Sequence, residues 1–125
     1  MTPAAKTPSE KAQLAVQAAL DVKAEDVVAL DVKELSSFAD VFVVCTGRSD
    51  RQVRAIADSI EKAAKQSGQP PLGVEGYTEG RWVLIDLDDV IVHVFTPETR
   101  EHYDIERLWS DAPQIAVALA EKAAP

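Results

Sequence analysis

The stretch whose reading decides the fold is RWVLIDLDDVIVHVF, Arg81 to Phe95. Two runs with a period of two flank the acidic pair Asp88–Asp89, which is turn chemistry for a two-residue β-hairpin. With that pair as the turn, Leu87 faces Val90, Ile85 faces Val92 and Val83 faces Val94, so six aliphatic side chains share one face. Strict alternation sends Trp82, Leu84 and Asp86 to the opposite face, beside Ile91, His93 and Phe95. That second face mixes large apolar surface with one titratable ring and one carboxylate. The first face is expected to be core. The second is expected to be kept for a partner, unless a helix of the same chain covers it.

Upstream, residues 1–8 contain two prolines and small residues and read as a disordered leader, with a single domain over residues 9–125. SEKAQLAVQAALD is helical, with Ser9 as N-cap and a stripe of Ala12, Ala15, Val16 and Ala19 that Leu14 and Ala18 widen. DVVALDV reads as a strand, and VFVVC, apolar on both sides, as a central one. KELSSFAD is a short connection between them. TGRSDRQVRAIADSIEKAAKQSG leaves the central strand by a glycine turn and starts a helix. There Ser49 and Gln52 have capping-box spacing, and Asp50 suits the first turn. Val53, Ile56, Ala57, Ile60, Ala63 and Ala64 recur at helical spacing, and Gly68 supplies the stop. QPPLGVEGYTEG is a connection with room for one short strand over Leu72–Glu75.

Downstream, Thr96 caps and Pro97 opens a short helix, TPETREHY, and Asp104 caps a further turn, IERLW. PQIAVALAEKAA closes the chain as a helix starting at Pro113. Helices and strands alternate around one hairpin, so the expected class is α/β with a mixed sheet flanked by helices.

Composition narrows the function. No apolar run approaches the ~18 residues that cross a bilayer, and the N-terminus lacks an apolar signal core, so a cytoplasmic protein is expected. The net charge of −8 is uneven: residues 75–111 set ten carboxylates against Arg81, Arg100 and Arg107. Such a region repels phosphate backbones, so no direct nucleic-acid contact is expected, and a basic protein is the complementary partner. The lone Cys45 sits in an apolar strand, which raises a thiol pKa and removes access.

Several chemistries are testable against the residues. TGRSD at a strand-to-helix junction favours an anion, but one glycine is far from a phosphate loop, and a capped helix start explains the same residues. Two-metal nucleotidyl transfer needs a Gly-Ser turn beside an Asp-x-Asp pair, which Asp86 and Asp88 supply, yet hairpin turns demand the same residue types. This Mg-dependent nucleotide-binding enzyme is the rival reading. His93 and His102 stand nine residues apart with no thiolate companion, so no metal site is expected. The serines lack a nucleophile elbow, and no triad is legible. What remains is a cluster of Trp82, His93, Arg100, Tyr103 and Trp109 among Glu98, Glu101, Glu106 and Asp111. Trp, Tyr and Arg dominate interface hot spots, and carboxylates steer basic partners. Trp109 reads equally as packing for the last helices.

These residues also carry a family resemblance. Thr46, Gly47, Ser49 and Asp50; Glu75 and Gly76; Trp82, Leu84 and Asp86; Val92, His93 and Phe95; Arg100 and Tyr103; and Glu106, Leu108 and Trp109 fall in the order and spacing of the ribosomal silencing factor, or Iojap, family. The resemblance spans about residues 9–112. It departs at Ile105, where the family has Leu, and at Gln52, where many members have His. It implies a homodimer with a nucleotidyltransferase-like fold but no catalysis and no cofactor. Such a protein binds the large ribosomal subunit through ribosomal protein uL14, blocks joining of the small subunit and represses translation under nutrient limitation. On that basis Trp82 and Leu84 are expected as apolar anchors, extended by Arg100 and Tyr103. Asp86, Glu98, Glu101 and Glu106 are expected to supply charge, with His93 supporting the face by hydrogen bonding. A third reading is a scaffold whose open sheet face pairs with itself.

Overall fold

A computed structural model of the protein describes residues 7–114. Helix α1 (Pro8–Asp21) starts earlier than expected, capped by Thr7 and not Ser9. Thr7 Oγ1 accepts the Glu10 N–H at 3.2 Å and the Thr7 N–H donates to Glu10 Oε1 at 2.9 Å. T-P-S-E is itself a capping-box sequence, and Pro8 at the first helical position has no N–H to satisfy, so this start wins over Ser9. The expected leader therefore loses Thr7 and Pro8 to the helix, and residues 1–6 lie outside the described residues.

Strands β1 (Glu25–Asp31) and β2 (Val41–Thr46) are antiparallel. Helix α2 (Asp50–Gln66), β3 (Gly73–Glu75), β4 (Trp82–Asp86) and β5 (Val90–Phe95) follow. The sheet order is β1-β2-β5-β4-β3, with β2 parallel to β5 and the other pairs antiparallel, so the α/β mixed-sheet class holds. β2 is central and fully buried. The hairpin has the expected register: Val83 opposes Val94, Ile85 opposes Val92, and the Leu87 N–H donates to the Val90 carbonyl at 2.9 Å. Asp88 takes the left-handed conformation (φ 78°) that this turn requires.

The two sheet faces have different covers. Val43, Cys45, Val83, Ile85, Val92 and Val94 pack under α1 and α2 against Ala15, Ala19, Val53, Ile56 and Ile60. Burying each such aliphatic side chain contributes roughly 2 kcal/mol before chain entropy is counted, so this face dominates stability. The other face gathers Phe42, Val44, Ile91, Phe95 and Ile105. The sequence leaves that face open, but its β5 half is buried. Only the β4 half, Trp82, Leu84 and Asp86, keeps partial exposure.

The helix ends show where local chemistry was legible. Ser49 accepts the Gln52 N–H at 3.1 Å as expected, but Gln52 Oε1 accepts from Arg48 N–H at 2.7 Å and not from the cap residue. Its amide Nε2, a donor that Glu would lack, reaches the Val22 and Lys23 carbonyls and ties α2 to the end of α1. Gly68 (φ 85°) and Gln69 donate to the Lys65 and Ala64 carbonyls, which closes a Schellman motif.

After Thr96, α3 (Pro97–Tyr103) and α4 (Ile105–Leu108) are joined at Asp104, whose left-handed backbone (φ 46°) makes the corner without a side-chain cap bond. Pro113 does not open a helix. Its carbonyl accepts the Asp31 N–H at 2.9 Å while Gln114 bridges Leu30, so the chain here lies along the outer edge of β1. Proline suits that position because it has no N–H to lose from the ladder. The rest of the expected closing helix falls on residues 115–125, outside the described residues.

Candidate functional site

The site begins at Gly76, which is left-handed (φ 80°) and so close to β4 that a Cβ there would stand 2.1 Å from the Trp82 carbonyl oxygen. This tight turn delivers Trp82 to the start of β4. The indole lies between Phe95, 5.0 Å away, and Tyr103, 4.7 Å away, between ring centroids. Trp82 Nε1–H donates to His93 Nδ1 at 3.1 Å, which leaves the imidazole proton on Nε2. Phe42 meets His93 and Trp109 edge-on, each at 5.1 Å. Aromatic pairs in such tilted and edge geometries are worth about 1 kcal/mol each beyond their buried area, so the cluster is a firm platform.

Above it lies a groove of about 450 Å³. Its lining joins Trp82, Leu84 and Asp86 of β4 to Ile91 and His93 of β5, Phe42 of β2, and Tyr103, Ile105, Leu108 and Trp109 from the α3–α4 segment, with Phe38 from the β1–β2 connection. The rim is unusually apolar for a surface: Leu108 is 78% exposed, Phe38 66% and Tyr103 51%. Trp82 is half-buried and open to this groove, not sealed beneath the chain.

Five of the nine expected site residues, Trp82, Leu84, Asp86, His93 and Tyr103, thus meet in one groove. They do so in different ways. Asp86 also serves the turn, accepting the Asp88 N–H at 2.8 Å. His93 is only 4% exposed and lies beneath the surface, where it holds Trp82. Glu98 and Glu101 are exposed on α3 outside the groove, without an ion pair among the described residues. Arg100 and Glu106 do not line the groove: they bind each other at 2.8 Å, with the Arg100 side chain 14% exposed. A cation and an anion six positions apart satisfy one another once α4 turns back toward α3.

The sequence reading missed Phe38 and Phe42 and left Leu108 out of the site. Phe38 had one signal, an aromatic in an otherwise polar connection. Phe42 had the alternation of β2, which separates it from Val41 and Val43.

The signals for nucleotidyl transfer do not converge. β2 and β5 run in parallel register from Val41–Val90 to Thr46–Phe95. Asp86 and Asp88 lie at the Val90 end and the Gly47–Ser49 turn follows Thr46, so roughly 16 Å of strand separates them. Gly47 has a steric reason instead, since a Cβ there would meet the Val53 nitrogen at 2.9 Å. The Cys45 thiol is fully buried, and burial pushes its pKa up to about 12 against a small opposing effect of Arg100. It is no nucleophile at neutral pH.

Burial lowers the His93 pKa from 6.5 to about 4. The unfolded imidazole takes a proton near its ordinary pKa while the folded one resists, so His93 contributes stability above pH 6.5 that is lost as pH falls toward 4. The loss should be on the order of 3 kcal/mol across that window. Urea midpoints for wild type and His93→Phe at about pH 7 and about pH 4.5 check this, with the phenylalanine variant losing visibly less on acidification. Equal losses would mean that the ring is not held neutral.

The family model described as "Ribosomal silencing factor during starvation" matches residues 5–125. A protein of Halalkalibacterium halodurans named "Ribosomal silencing factor RsfS" is 51% identical over 106 residues, covering 85% of this chain and 91% of that one. A crystal structure of a Chromobacterium violaceum protein superposes with a TM-score of 0.83 at 42% identity, over 84% of this chain and 88% of that one. A more distant mouse relative, 30% identical over 90 residues (70% of this chain, 40% of that protein), is named "Mitochondrial assembly of ribosomal large subunit protein 1".

Proposed function

The chain belongs to the ribosomal silencing factor family, and from that premise we propose that its apolar groove docks ribosomal protein uL14 on the large subunit. Bound there, the protein occupies the surface that the small subunit needs, prevents subunit joining and represses translation when nutrients are limiting. It works by occlusion, without a catalytic step or cofactor, as a cytoplasmic homodimer. The name of the mouse relative supports a large-subunit partner.

The observation that carries this reading is the groove itself. Half-buried Trp82 is ringed by exposed Tyr103, Leu108 and Phe38, and Asp86 lines the same groove. An aromatic anchor set in a desolvated pocket provides binding energy, and Glu98 and Glu101 on neighbouring α3 steer a basic partner toward it.

Gradient sedimentation of purified large and small subunits tests the proposal. Added protein should travel with the large subunit and reduce the joined-ribosome peak, and its binding to isolated uL14 should weaken with salt. Undiminished joining at saturating protein would reject it. Calorimetry with Mg²⁺ and nucleoside triphosphates covers the rival: clear heat abolished by Asp86→Asn would transfer the site to nucleotide chemistry.

A further inference from the structure

Helix α3 brings Tyr103 to the groove yet buries none of its own residues, and α4 buries only Ile105. The segment that supplies Tyr103, Leu108 and Trp109 therefore has one apolar attachment to the sheet, made by buried Ile105 and by the ring contacts of Tyr103 on Trp82 and Trp109 on Phe42. Arg100 provides a polar one. Its Nε–H donates to Glu106 Oε1 at 2.8 Å, and its Nη1 donates to the Asp26 carbonyl at 2.7 Å and to Thr46 Oγ1 at 2.8 Å. One planar fork thus ties α3 to α4, to β1 and to the end of β2, a task for which guanidinium geometry is suited.

A second observation lies at the far end of that fork. Asp26 adopts a left-handed backbone (φ 49°) where the β1–β2 register breaks between Glu25 and Val28. An L residue is strained there, and such a bulge persists where its surroundings impose it. Here the strained residue presents its carbonyl to Arg100.

We infer that Arg100 is a positioning residue: it clamps the α3–α4 segment to β1 and β2 so that Tyr103, Leu108 and Trp109 stand at the groove, and it does not itself meet the partner. The inference rests on the docking role proposed for the groove. It also reverses the expectation that Arg100 extends the contact patch.

A double-mutant cycle tests it. Large-subunit affinity is measured for wild type, Tyr103→Ala, Arg100→Met and the double variant, well below every melting temperature. Each single change should weaken binding about tenfold, and the double change should be little worse than either alone. Arg100→Lys, which reaches fewer acceptors, should fall between wild type and Arg100→Met. Backbone amides of residues 97–109 should exchange faster in Arg100→Met while those of β2 and β5 do not.

Additive losses would mean that Arg100 contacts the partner, and wild-type affinity with unchanged exchange would mean that it clamps nothing. Either result overturns the inference. If instead Tyr103→Ala keeps full affinity, the docking role of the groove fails, while the exchange rates still decide whether the clamp exists. Should Arg100→Met not fold, Thr46→Val removes one acceptor from the same fork and carries the same cycle.

Discussion

Leu108→Asp is expected to lower large-subunit affinity by at least about 30-fold, roughly 2 kcal/mol, while leaving the melting temperature within error. Leu108 is 78% exposed at the groove rim, so the free protein loses almost no packing when it is replaced. In the complex the new carboxylate must be desolvated among Tyr103, Ile105 and Trp109 without a designed partner. The cost therefore appears on binding and not on folding, which makes this a cleaner probe than Trp82→Ala. The indole packs on Phe95 and Tyr103 and donates to His93, so truncating it weakens the fold as well as the contact. Leu72→Asp is the matched control. Leu72 is 71% exposed and does not line the groove, so both affinity and stability should hold. Isothermal titration with isolated large subunits reads the comparison. Equal affinity for the Leu108 variant and wild type would remove the groove from the interface.

Gly76→Ala is expected to destabilise the fold by about 2–4 kcal/mol, a drop in Tm of about 10 °C or more for a domain of this size. Two costs add. Alanine is strained at φ 80°, by about 1 kcal/mol. Its Cβ would also stand 2.1 Å from the Trp82 carbonyl oxygen, and because that atom is backbone, the start of β4 must move. Thermal unfolding gives the magnitude. The near-ultraviolet signal of Trp82 should change as well, since the displaced segment carries that indole. Gly73→Ala supplies the contrast: nothing lies within 4 Å of the Cβ it would gain, so its effect should stay within about 0.5 kcal/mol. Equal stabilities for the two variants would show that the turn at Gly76 tolerates a side chain.

Residue chemistry acting over a few positions was readable directly. The period-two run from Trp82 to Phe95 determined the hairpin, its register and the division of its side chains between two faces. The stripe Val53–Ile56–Ile60 determined α2 and the face it buries. Gly68 and Pro97 marked a helix end and a helix start for reasons internal to the backbone. The same local logic failed at Ser9 only because a stronger capping box lay two residues upstream. An aromatic, acidic region at the hairpin and beyond it was legible too, since composition alone marks it.

Tertiary structure alone decided what each polar residue in that region does. Arg100 is held by Asp26 and Thr46, which lie 74 and 54 positions away, and no spacing rule reaches that far. His93 lies beneath the surface because Phe42 of a strand distant in sequence packs against it. Phe38 reaches the groove although it belongs to a connection that looked like filler. The Asp-x-Asp and Gly-Ser signals lost their partnership when the parallel pairing of β2 and β5 put them at opposite ends of the sheet. Periodicity follows from the geometry of one chain segment. Whether a charge meets a partner or solvent is settled by which segments pack together, and that is a property of the whole fold.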